Sequence, residues 1–165
     1  MRLLFIAAFV SATAVVSAQG FEVPKKYKLK KAEDFANYEN DFIGAYKWLM
    51  ATSMGEQAEK RKEVNKFLLA WISGAPNVTV EIRPEIVTFM EKNPDLLLVF
   101  MTGWAQYALS TGDKSKSAGT LNGLESVVEF YEKNKTKLNQ DPNVENYVAM
   151  KADGTLEDFV TKTVK

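Results

Sequence analysis

The chain has 165 residues, with 21 basic and 21 acidic side chains, and contains neither histidine nor cysteine. Without histidine it lacks the side chain that ordinarily titrates near neutrality, and without cysteine it has no thiol nucleophile and no disulfide. Together these gaps exclude most nucleophilic triads and most transition-metal sites, and the balanced charge gives no reason to expect nucleic acid or an anionic membrane as partner.

Residues 1–18 read as a secretory signal peptide. Arg2 begins a short positive region, Leu3 to Val10 form an apolar core, and Val16-Ser17-Ala18 offers small residues to a signal peptidase. Cleavage is expected after Ala18. Ser11, Thr13 and Ser17 interrupt the apolar stretch, which is marginal in length for a membrane anchor, and no cysteine follows to carry lipid. The expected product is exported, periplasmic or extracellular, and soluble. It spans about 147 residues, one ordinary domain that must stabilise itself by its core alone.

Residues 19–31 predict an extended basic arm. Pro24 disfavours helix before it, and Lys25, Lys26, Lys28, Lys30 and Lys31 crowd around Tyr27 and Leu29. The five lysines suit a polyanion, whereas Tyr27 and Leu29 suit an arm tacked onto a core; the near-neutral total favours the latter.

From Glu33 the apolar period becomes helical. Phe35, Tyr38, Phe42, Tyr46 and Leu49 predict one helix ending near Gly55, with Glu33 and Asp34 complementing the dipole of its first turn. A second helix, from about Glu56 to Ser73, presents Val64, Phe67, Leu68, Trp71 and Ile72 on one face and stops at Gly74 before Pro76. Residues 77–83 alternate like a strand but have no partner strand, so an extended connector is expected. Pro84 then opens a short third helix reaching Lys92.

The stretch from Asp95 to Ser110 is apolar on nearly every side and predicts a central helix surrounded by the others. After a polar loop over Gly112 to Gly119, a fifth helix is expected from about Thr120 to Leu138. Asp141-Pro142 should cap and start a sixth, and Leu156, Phe159 and Val160 should pin a last one. The fold class is therefore all-α: a compact bundle of six or seven helices around a central apolar helix, in a single domain over residues 32–165, with an extended N-terminal arm.

The run Asn65-Lys66-Phe67-Leu68-Leu69-Ala70-Trp71-Ile72, the pair Gly103-Trp104 and the run Glu129-Phe130-Tyr131-Glu132-Lys133-Asn134-Lys135 resemble motifs of an uncharacterised family of exported bacterial helical proteins. That resemblance implies fold and export, and transfers no functional residue.

Four kinds of site are open to weighing. Asp141-Pro142-Asn143-Val144-Glu145 alternates oxygen ligands like a calcium loop, but Asn146 and Ala152 stand where that loop needs Gly and Glu. No metal and no cofactor is expected. Paired carboxylates remain open to a glycan (cell-wall) hydrolase, with Glu39 and Asp41 or Glu125 and Glu129 as candidates; the same residues also suit a solvated helix face. Trp48, Trp71 and Trp104, with Tyr46 and Tyr107, suit either an aromatic-lined ligand pocket or ordinary core packing. Asn77-Val78-Thr79 and Asn134-Lys135-Thr136 match the N-glycosylation pattern. The expected function is a non-catalytic, exported binding or interaction protein, its partner an unknown protein or small ligand. The alternatives are the hydrolase and a carrier of small apolar ligands.

Overall fold

A computed structural model describes residues 20–164. The expected signal peptide lies outside the described residues. Within them the chain forms seven α-helices and one 3-10 turn, without a strand. The helices are α1 (Ala32–Asn37), α2 (Glu39–Ala51), α3 (Ala58–Gly74), α4 (Leu96–Thr111), α5 (Lys116–Lys133), α6 (Pro142–Asp153) and α7 (Leu156–Thr163). The fold class is as expected. No described helix is long and apolar enough to cross a membrane.

The central pairing is α4 against α5, and α2, α3 and the 3-10 turn also pack on α4. Three glycines let the two central helices approach. A Cβ on Gly119 would collide with the Trp104 indole, one on Gly103 would strike Ser126, and one on Gly123 would lie 2.7 Å from the Phe100 ring. Each aromatic ring or hydroxyl thus occupies the volume a larger residue would need. Phe100 and Trp104 are also set edge to face, 5.9 Å apart. Around this pair the apolar positions of α2, α3, α6 and α7 complete one core.

The sequence predicts one continuous first helix; the structure breaks it at Tyr38 (φ −107°, ψ 12°). The break has a tertiary cause. It lets α1 lay Phe35 over Gly74, and the Phe35 carbonyl accepts the Trp71 indole N–H at 3.0 Å beside the Tyr38 N–H at 3.1 Å. Tyr38 itself packs edge-on against Phe67 and Tyr27. The arm is extended and fastened as its apolar residues suggested: Tyr27 lies 5.0 Å from Phe67, and Phe21 covers Gly44.

The expected third helix is not α-helical. Only the 3-10 turn Thr88–Glu91 forms, because neighbouring side chains take the local carbonyls: the Tyr147 hydroxyl donates to Ile86 at 2.9 Å and Asn143 reaches Thr88. Nor does α5 wait for Thr120. Ser115 adopts the extended N-cap backbone conformation, and the helix starts at Lys116. It also ends at Lys133, short of the expected Leu138. The connector 77–83 is extended without pairing, as expected. Finally, α4 is not covered on every side: Leu97, Leu98 and Met101 remain half-buried.

Filling the space between the central helices should cost stability even though alanine favours helix by about 1 kcal/mol over glycine. Gly119→Ala is expected to lower the unfolding free energy by about 1–3 kcal/mol in urea titrations, because the added Cβ would overlap the Trp104 indole and force the ring or the helix to shift. Glycine at 112, a surface turn with open space around it, offers a control for the α4–α5 contact: Gly112→Asn should cost far less.

Candidate ligand cleft

The last carbonyls of α2 lack intrahelical donors and carry the negative end of the helix dipole. Three cations converge on them and on the loop that follows. Arg61 donates from Nη2 to Thr52 O at 2.7 Å and Ser53 O at 2.9 Å; Lys133 donates to Met50 O at 2.9 Å and to Ala51 O; Lys137 donates to Met54 O at 2.7 Å. The same loop is pinned by Asn134, whose Oδ1 accepts the Met54 N–H at 2.7 Å while its Nδ2 donates to Phe130 O. Lys133 and Asn134, which stand in the last of the resembling motifs, therefore hold the end of a different helix.

Arg61 lies between two rings, 5.5 Å from Trp48 and 6.0 Å from Phe130. Burial pushes its pKa down, with Asp95 and Glu56 opposing; a guanidinium stays charged regardless. It forms one wall of a narrow cleft of about 130 Å³, lined also by Leu49, Met54, Asn65, Asp95 and Leu98. Two buried polar atoms here, Arg61 Nε and Asn65 Oδ1, have no partner among the described residues.

Asn65, Asp95 and Leu98 also border a second, wider hollow of about 320 Å³, a groove between α3 and α4. Its floor is Leu97, Leu98 and Met101 from α4 and its wall is Leu69 from α3, with Pro94 at one end and Lys66 and Asp95 on the rim. Leu69 is 50% exposed, the most open large apolar side chain among the described residues. The buried stripe of α3 includes Leu68 and leaves out Leu69, which is therefore free to line the groove. An apolar surplus beside a complete five-residue stripe is the signal that could have found it.

The five aromatic candidates are not brought together. Trp48 is buried under Arg61 and Lys60, its indole N–H without a partner among the described residues. Trp71 packs 4.3 Å from Phe42 and donates to Phe35 O. Tyr46 on α2 bonds Ser126 at 2.9 Å, and burial above all raises its pKa. Tyr107 donates to Asp113 at 2.9 Å, a bond that raises its pKa. Trp104 borders an opening, a cleft of about 210 Å³ with residues 76–79, Ala108 and Lys114. None of these clefts is lined by Glu39, Asp41, Glu125 or Glu129.

Asp141 serves as the N-cap of α6: its Oδ1 accepts the Asn143 N–H at 3.0 Å, with Pro142 at the first helical position. Among the described residues no cluster of acidic side chains could hold a metal. The two sequons differ sharply. Asn77 is exposed, whereas Asn134 is 1% exposed with its amide committed on both sides.

Asn134→Ala leaves the Met54 N–H without its acceptor and is expected to cost about 1–3 kcal/mol, measured by urea unfolding. Asn77→Ala should stay within about 0.5 kcal/mol of the parent.

No family model, curated protein or solved structure matches the chain.

Proposed function

We propose that this chain is an exported, non-catalytic binding domain whose partner is a protein that inserts one or two apolar side chains into the α3–α4 groove. The observation that carries this reading is the groove itself: an open, mainly apolar hollow formed by Leu69, Leu97, Leu98 and Met101, flanked by a cation and an anion, Lys66 and Asp95. Exposed apolar surface rimmed by polar residues marks interaction sites, and a hollow between two helices suits the apolar anchors of a partner segment. Its size limits the insertion to about one or two side chains.

A small-ligand carrier would need an enclosed cavity, and here the three indoles pack in separate places. A carboxylate hydrolase would need two acids across an open cleft, and the candidate pairs line none of the clefts described above. Export is supported by the n-region, apolar core and Val16-Ser17-Ala18 of the sequence, and by the resemblance to exported helical proteins.

The test places a photo-crosslinking benzoylphenylalanine at exposed Lys66, on the groove rim, or at exposed Glu132 on α5. In the native host, position 66 should yield a discrete protein adduct that position 132 does not, and Leu69→Lys should reduce it at least about tenfold without altering thermal unfolding. Adducts indifferent to Leu69→Lys would overturn the proposal. So would turnover of purified peptidoglycan by the mature protein that Glu129→Gln abolishes.

A further inference from the structure

Residues 76–82 pass over the cleft that exposes the edge of Trp104, and their attachment is slight. Among the described residues, none of them makes a backbone hydrogen bond to the rest of the protein. Proline bounds the segment at 76 and follows it at 84, fixing φ and removing donors at both ends. Of its alternating apolar residues only Val78 is deeply seated, at 7% exposure; Val80 is half-buried and Ile82 exposed. Burial of the alternating apolar residues therefore fades along the segment, leaving one side chain as its anchor.

Among the described residues, one ionic contact ties the segment to the helical core. Glu81 Oε2 lies 2.8 Å from Lys116 Nζ, while its Oε1 lies 2.7 Å from Arg83 within the same connector; Arg83 also faces Glu85 at 3.7 Å. Lys116 is the first residue of α5, a helix with no acidic residue in its first turn. A cation there opposes the helix dipole. Its placement is unfavourable for α5 and favourable only for the contact with Glu81, whose carboxylate supplies the negative charge the helix terminus otherwise lacks.

We propose that residues 76–82 form a strap that opens locally over Trp104, with Val78 as its plug and the Glu81–Lys116 pair as its latch. Local opening requires few buried contacts and solvated backbone, and the strap has both. Closed, it shields the indole at the bottom of a cleft of about 210 Å³. Open, it presents the Trp104 face and the rim residues Ala108 and Lys114 to a small molecule, with α4 and α5 still folded beneath. The inference is independent of the α3–α4 groove, which shares none of these residues.

The absence of cysteine makes the test direct, because any introduced thiol is unique. Val78→Cys and, as control, fully buried Val127→Cys on α5 are treated with a soluble thiol reagent in native buffer. If the Val78→Cys variant does not fold, Val80→Cys takes its place. The strap thiol should react at least about 100-fold faster than the Val127→Cys thiol, since the latter waits for global unfolding. Glu81→Gln and Lys116→Gln should each accelerate the strap thiol a further two- to fivefold, roughly the value of an exposed ion pair, and by more than either accelerates the control. Labelling of the strap as slow as the control overturns the proposal. Labelling that is fast but indifferent to both latch substitutions also overturns it, because the thiol is then simply exposed.

Discussion

The close approach of α4 and α5 is the constraint on which the rest of this structure depends. Gly103, Gly119 and Gly123 clear the space that Ser126, Trp104 and Phe100 fill. Glycine inside a helix is locally unfavourable, so these positions make sense only through what they allow, the seating of large rings against bare backbone. With the two helices so close, one flank of α4 is left for α2 and α3, and two helices do not cover all of it. The uncovered strip of Leu97, Leu98 and Met101 becomes the floor of the groove.

Charge in this protein mostly serves the fold. Arg61, Lys133 and Lys137 meet at the end of α2 and its loop, each bonded to carbonyls, whereas the arm residues Lys25, Lys26, Lys28, Lys30 and Lys31 stay exposed. Arg61 loses hydration there and regains favourable contact from the Trp48 and Phe130 faces and two carbonyl oxygens. Glu22 and Lys60 fasten the arm in a similar way at 3.2 Å. A chain with such evenly matched charges can staple its own loops without presenting a strong field of either sign.

Much of the helical order was legible in the sequence because burial imposes its period directly. The five-residue stripe of α3 is fully reproduced, α4 lies where the apolar run placed it, and Asp141-Pro142 opens α6 by the mechanism its residue types imply. What escaped depends on contacts between distant segments. Tyr38 fits the helical period, yet the helix breaks there, with Phe35 seated over Gly74 and its carbonyl accepting the Trp71 indole N–H. The 84–92 segment has helical spacing, and only Tyr147 and Asn143 divert its carbonyls. The tryptophans resist prediction for a related reason: a side chain large enough to line a pocket is also large enough to fill one, and which occurs is decided by the glycine or phenylalanine opposite.

The central claim is that α4 and α5 form the most stable unit of the molecule, with grooves and strap arranged around it. Native-state hydrogen exchange followed residue by residue tests this most directly. Amides from Val99 to Ala105 on α4 and Leu124 to Phe130 on α5 should exchange only with global unfolding and show the highest protection in the protein. Faster exchange there than in α3 or α6, signalling that the central pair opens while the periphery stays folded, would contradict the account.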